Sequence, residues 1–158
     1  MKSVSVIGLG YIGLPTATLI ANNGFKVYGM DPVNKVVNTI NQGKIHIVEP
    51  GLEDYVKKAV ANGNLVADTK PHKADVFILA VPTPFKGDKE PDLSYVESAA
   101  REIAPFLKDG NLVILESTSP VGTTEKVRQW IMDENKSLQD KALYFAHCPE
   151  RVLPGRIV

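Results

Sequence analysis

The sequence predicts a doubly wound α/β domain, with a six-stranded, mainly parallel sheet in the order 3-2-1-4-5-6 and helices on both faces. Three observations carry this. Short apolar runs alternate with stretches of helical spacing, which implies strand–helix–strand units joined by right-handed crossovers. The first unit, Ser3 to Asp31, holds Gly8, Gly10 and Gly13 in the turn between its strand and its helix. The unusual local sequences gather at the carboxyl ends of the strands, where ligands bind in such sheets. The opposite ends carry plain turns, Asn23-Gly24, Asn62-Gly63 and Asp109-Gly110.

The first strand, Val4 to Ile7, runs into the glycine turn. Gly8 permits a tight exit, Gly10 lets backbone approach a pyrophosphate, and Gly13 lets the helix pack near the strand. The helix that follows ends at Asn23-Gly24, and its N-terminus offers free N–H groups and a partial positive charge. A second strand, Phe25 to Met30, closes on Asp31. Asp31 lies 18 residues past Gly13, near the roughly 20 expected of the acid that holds an adenosine ribose. These parts together read as a Rossmann-type dinucleotide site, against the alternative of a purely structural turn. A carboxylate there repels a 2′-phosphate, which favours NAD over NADP; Lys35, one helical turn on, softens that preference.

Val33 to Asn41 has apolar residues at 33, 36, 37 and 40, a helical spacing, and Gln42-Gly43 ends it. Lys44 to Pro50 alternates briefly before Pro50-Gly51 breaks it, and Leu52 to Val60 reads as a short helix. Asn64 to Ala67 is the third strand. Asp75 to Val81 is apolar almost without pause, as suits a parallel strand covered on both faces. Pro82 to Pro91 is rich in proline and is expected to hold no regular structure. Asp92 can cap the helix Leu93 to Leu107. Leu112 to Leu115 is the fifth strand, Thr123 or Thr124 can cap a helix to about Asp133, and Ala142 to Ala146 is the sixth strand. Trp130 shares a helical face with Val127 and Ile131 and reads as core.

Eighteen acidic residues balance eighteen basic ones, which removes the electrostatic case for nucleic acid or an anionic membrane. No apolar run approaches the ~20 residues a membrane-spanning helix needs. Met1-Lys2 leads straight into a strand, without room for a signal peptide, and the single cysteine forms no internal disulfide, which fits a reducing cytoplasm. The chain stops at Arg156-Ile157-Val158 without a closing helix, as a domain cut from something longer does.

Strand four delivers Val81-Pro82-Thr83-Pro84, strand five Glu116-Ser117-Thr118, and strand six Cys148-Pro149-Glu150-Arg151. Thr83, pinned between prolines, can present its hydroxyl or N–H to a cofactor, or it is a rigid turn that merely ends the strand. Glu116, Ser117 and Thr118 put a carboxylate and two hydroxyls beside the nicotinamide end; such clusters also serve as helix-entry loops. Glu150 is the candidate carboxylate facing the reacting centre. Cys148, at the end of an apolar strand, reads as a small buried hydrophobe rather than a thiolate. His46, His72 and His147 have no ligand spacing, so no metal site follows. Lys86, Asp88, Lys89 and Glu90 read as a solvated loop tip.

Read together, VIGLGYIGLP (6–15), EPGL (49–52), VPTP (81–84), ESTSPVGTT (116–124) and CPERVLPG (148–155) resemble the UDP-glucose/GDP-mannose dehydrogenase family. The forms IHIVEP, VPTPFKGDKEPD and ESTSPVGTTEKV are most similar to its branch acting on UDP-N-acetyl-D-mannosamine, which serves surface polysaccharide synthesis. The resemblance implies that a nucleotide-sugar C6 alcohol becomes a carboxylate through two hydride transfers to NAD, by way of a cysteine-linked thiohemiacetal and thioester. It implies that Gly8, Gly10, Tyr11, Ile12 and Gly13 hold the pyrophosphate and Asp31 the ribose. Val81, Thr83, Ser117 and Thr118 then contact NAD, with Thr118 also placing a catalytic water. Glu150 lies beside the reacting carbon and serves acid–base work, while Arg151 and Val152 meet the UDP-sugar. Pro154 stands where the glucose-oxidising branch has a second acid, which weakens a UDP-glucose assignment. The nucleophilic cysteine of the family lies in a central helix and second domain outside this sequence, and Cys148 does not match it. Residues 1–158 are then the NAD-binding domain of a cytoplasmic homo-oligomer, inactive alone. The alternatives are a UDP-glucose or UDP-N-acetylglucosamine enzyme of the family, a hydroxyacyl-CoA or 6-phosphogluconate type dehydrogenase, and a noncatalytic NAD sensor.

Overall fold

Strand β1 (Ser3–Ile7) puts Val4 and Val6 on one side and Ser5 and Ile7 on the other, and all four are buried. A strand covered on both faces belongs inside a sheet. In the computed structural model, which describes residues 2–87 and 90–151, β1 lies between β2 (Lys26–Met30) and β4 (Val76–Leu79), parallel to both. β3 (Leu65–Asp68) lies outside β2, and β7 (Leu112–Leu115) and β8 (Tyr144–His147) continue beyond β4, again in parallel. The order β3-β2-β1-β4-β7-β8 is the expected doubly wound one. Two labels intervene because β5 (Phe85–Lys86) and β6 (Glu90–Pro91) pair antiparallel in the loop after β4. That corrects the expectation of no regular structure there. A two-residue ladder is all edge, and an edge tolerates Pro91 because it needs no donor from it.

The alternation of each strand sends side chains to two separate cores. On the first face, α1 (Gly13–Asn22), α2 (Asn34–Asn41) and α3 (Leu52–Ala61) close over Val4, Val6, Val27, Leu65 and Ile78. On the second, α4 (Ser94–Ile103) and α5 (Thr123–Glu134) close over Ile7, Met30, Phe77, Leu79, Val113 and Leu115. Burying a side chain such as Phe77 or Leu79 is worth ~1.5–3 kcal/mol against leaving it in water. Trp130 is half-buried against this second core. Beyond β4 the first face is only partly covered, and Tyr144 on β8 is 59% exposed.

Helix ends differ from expectation in two places. α4 stops at Ile103 and tightens into a 3-10 turn, Ala104–Phe106, because Pro105 lacks the N–H that would continue the helix. α5 is preceded by Gly122, at φ +87°, and takes no cap from Thr123 or Thr124. The Thr123 hydroxyl is buried and donates to the Pro120 carbonyl at 2.7 Å, so it is unavailable to the helix amides. Asp92 does accept from the Ser94 amide, at 3.0 Å. Cys148, read as a buried hydrophobe, is exposed instead. It follows β8, the outer strand of the sheet, which has a neighbour on one side only. Among the described residues no helix is long and apolar enough to cross a membrane.

Candidate functional site

The glycine turn is held by two glycines and left open by the third. Gly8 has φ +92°, and a Cβ there would stand 2.6 Å from the Ala80 carbonyl oxygen. A Cβ on Gly13 would overlap the Gly8 carbonyl oxygen, so strand and helix can approach this closely only without it. Gly10 obeys neither constraint. Its Cβ would meet no atom within 4 Å, yet the position carries bare backbone where α1 is about to begin. Nothing among the described residues demands glycine there, and the bare backbone leaves room for a ligand to lie against it.

Asp31 ends β2 with both carboxylate oxygens fixed. The Leu9 amide donates to Oδ2 at 3.3 Å and the Val33 amide to Oδ1 at 3.0 Å. An ionised carboxylate has about four acceptor sites, so lone pairs remain for the two hydroxyls of a ribose. Leu9 in turn lies over Gly29, where a Cβ would come within 2.8 Å of its side chain. Close by, burial pushes the His46 imidazole below its ordinary range while the Asp31 charge opposes that shift. The Val48 amide donates to the Tyr11 hydroxyl at 3.4 Å, tying the turn to the segment before α3.

The turn and the acid open on one cleft of about 800 Å³, within the range of small-molecule sites. Gly8, Gly10, Tyr11 and Ile12 line its middle, with Asp31 to one side. Val81, Thr83, Ser117, Thr118 and Glu150 line the other side. The Thr83 hydroxyl donates to the Thr118 carbonyl at 2.7 Å, clasping the loop after β4 to the loop after β7. Ser117 is buried; its hydroxyl lies 2.8 Å from that of Ser119, and its carbonyl accepts from His147 Nε2 at 2.9 Å. Gly13 is buried behind the turn, and Lys35 on α2 and Arg151 after β8 are exposed and do not line the cleft. Val152 lies outside the described residues.

Glu116 is the most unusual group in the cleft. Its Oε1 accepts from the Thr16 hydroxyl at 3.0 Å, and its Oε2 is buried without a partner among the described residues. Burial pushes its carboxyl up, the Thr16 hydrogen bond pulls it down, and the nearby Glu150 charge raises it further. The side chain is thereby held toward its neutral form.

The wall contains residues that motif reasoning missed: Thr69 after β3, and Tyr95, Ser98, Ala99 and Glu102 on α4. Positions 95, 98, 99 and 102 form one helical stripe, beside the buried stripe of Val96, Ala99, Ala100 and Ile103. That spacing is the only sequence signal that marks them.

The chain is similar to known proteins over nearly its whole length. The model of the UDP-glucose/GDP-mannose dehydrogenase family, NAD binding domain, matches residues 2–158. The chain is 56% identical to the UDP-N-acetyl-D-mannosamine dehydrogenase of Yersinia pestis, over 99% of this chain and 39% of that one. It is 53% identical to the NDP-N-acetyl-D-galactosaminuronic acid dehydrogenase of Ralstonia nicotianae, with the same coverage of each. The solved UDP-D-ManNAc dehydrogenase from Pyrococcus horikoshii superposes with a TM-score of 0.89 at 43% identity, covering 98% of this chain and 38% of that one. The chain thus spans about two-fifths of the length of these curated relatives. With its sheet order, its bare Gly10 and its anchored Asp31, the chain belongs to the UDP-glucose/GDP-mannose dehydrogenase family, as an NAD-binding domain of that family.

Proposed function

We propose that the protein carrying this chain is an NAD-dependent nucleotide-sugar 6-dehydrogenase that converts UDP-N-acetyl-D-mannosamine to its uronate for surface polysaccharide synthesis. One observation carries the reading: the bare backbone of Gly10 and the anchored Asp31 open on a single cleft whose far side ends at Glu150. The relatives named for oxidation of UDP-N-acetyl-D-mannosamine support the choice of sugar.

In this reading Gly8, Gly10, Tyr11, Ile12 and the α1 N-terminus bind the pyrophosphate, and Asp31 binds the adenosine ribose. Gly13 sets how closely α1 approaches β1, and Lys35 stays peripheral. Val81, Thr83, Ser117 and Thr118 form the wall of the nicotinamide half, held in register by the Thr83–Thr118 clasp. NAD supplies the hydride acceptor. Glu150 faces the reacting carbon, where a carboxylate can take the alcohol proton. Burial and the Glu150 charge both raise the Glu116 carboxyl, so the two acids resist being ionised together. Arg151 and Val152 meet the UDP-sugar, further domains complete the site and supply the nucleophile, and the enzyme works as a cytoplasmic homo-oligomer.

The test joins this chain to its downstream sequence and assays UDP-N-acetyl-D-mannosamine with NAD. Two NADH formed per sugar support the reading. NADH binding without turnover of any UDP-sugar overturns it in favour of a redox sensor.

A further inference from the structure

One wall of the cleft is not explained by the glycine turn. It lies on the face covered by α4, where Ile7 and Met30 from the ends of β1 and β2 meet the 95–102 stripe of that helix. Ile7, Met30 and Ala99 supply apolar walls of the kind that grip a flat ring, while Ser98 and Glu102 supply polar atoms at its edge. Glu102 as a whole residue is exposed, but its carboxyl is partly withdrawn from water at the cleft wall, and that burial alone pushes it up, with no hydrogen bond or charge contributing. Its acceptor capacity is therefore unspent within the described residues.

Asp31 fixes which part of the ligand meets this wall. The pyrophosphate belongs to Gly10, and the ribose on Asp31 carries its base away from the Glu116–Glu150 side. We propose that Glu102, with Ser98 beside it, reads the adenine of the dinucleotide by accepting a hydrogen bond from its exocyclic amine. A carboxylate accepts from an amine but meets the carbonyl of hypoxanthine acceptor to acceptor. Such a contact discriminates by leaving the wrong base unpaired. This inference rests on the cleft being the NAD site and adds to it a residue that selects the base.

The experiment measures the dissociation constants of NAD and of nicotinamide hypoxanthine dinucleotide for the full chain by calorimetry. Wild type, Glu102→Ala and Glu102→Gln are compared, with melting temperatures as the check on folding. Wild type should prefer NAD by roughly three- to tenfold, the net worth of one hydrogen bond made by an exposed group. Glu102→Ala should bring the ratio near one, and Glu102→Gln, whose amide can donate to the hypoxanthine carbonyl, should move it toward the second dinucleotide. NAD binding with an unchanged ratio in both variants overturns the assignment of Glu102. So does an equal loss for both dinucleotides, which marks Glu102 as wall only. Failure of wild type to bind either dinucleotide instead removes the reading of the cleft itself.

Discussion

The Leu9 amide donates to Asp31 Oδ2 at 3.3 Å, so the loop leaving β1 and the acid ending β2 form one rigid unit. The same carboxylate also holds the Val33 amide at the entry to α2. Its orientation is thus set by the protein's own backbone.

Asp31→Ala removes that acceptor and frees both amides. NAD binding should weaken by ~1–3 kcal/mol, the worth of hydrogen bonds to a charged group. The gap between NAD and NADP should narrow at the same time, because the 2′-phosphate no longer faces a carboxylate. Calorimetry with both dinucleotides checks this; an unchanged NAD constant refutes the ribose assignment.

Gly13→Ala and Gly10→Ala should fail in opposite ways. At Gly13 the added methyl meets the Gly8 carbonyl oxygen, and overpacking of this kind costs ~1–3 kcal/mol or more. The melting temperature should fall by roughly 2–4 °C for each kcal/mol lost. At Gly10 the methyl enters open space, so the melting temperature should stay put while NAD binding drops by more than about tenfold, which is ~1.4 kcal/mol. Equal melting losses in the two variants count against the division of labour.

Glu116 ties stability to pH. Its folded value lies above the ordinary 4.5, chiefly through burial. The folded state therefore holds the extra proton between the two values, and stability falls as pH rises from 4.5 through the folded value. Glu116→Gln keeps an acceptor for Thr16 and does not titrate, so it should match wild type near pH 4 and exceed it above the window. Asp68, Asp75 and Asp92, whose carboxyls are lowered by hydrogen bonds from His72, Ser3 and Ser94, act in the opposite sense and only as pH falls below 3.8. They are common to both proteins and cancel. Urea melts of the pair at about pH 4 and pH 7.5 decide the matter.

The Thr83 hydroxyl clasps two loops through the Thr118 carbonyl. Thr83→Val keeps the shape and loses the bond, which should cost ~0.5–1.5 kcal/mol of stability and slacken the nicotinamide side of the cleft. Thr83→Ser should restore both. Melting curves and NAD titrations of the two variants separate a clasp from a bystander.

What the sequence made legible was whatever a local rule dictates. Gly8, Gly10, Gly13 and Asp31 sit at spacings set by a strand, a turn and a helix, and the strand order follows from handed crossovers. Less visible was whatever depends on distant partners. Thr123 has the chemistry of a cap, but its hydroxyl is taken by Pro120. Cys148 follows an apolar run, yet its strand is the last of the sheet and leaves it in solvent. Glu102 sits in an ordinary polar stretch of α4, and only the packing of that helix beside Met30 brings it to the cleft.

The Leu9 side chain occupies the hollow that Gly29 leaves in β2. A fourth glycine, one outside the fingerprint, thus makes room for the side chain that follows the turn's first residue. A single methyl at position 29 would press on the Leu9 δ-carbons, the far end of a flexible side chain, so Leu9 would have to repack beneath the turn. Any redesign at the tip of β2 has to keep this hollow, because the side chain that fills it belongs to the same residue whose amide holds Asp31.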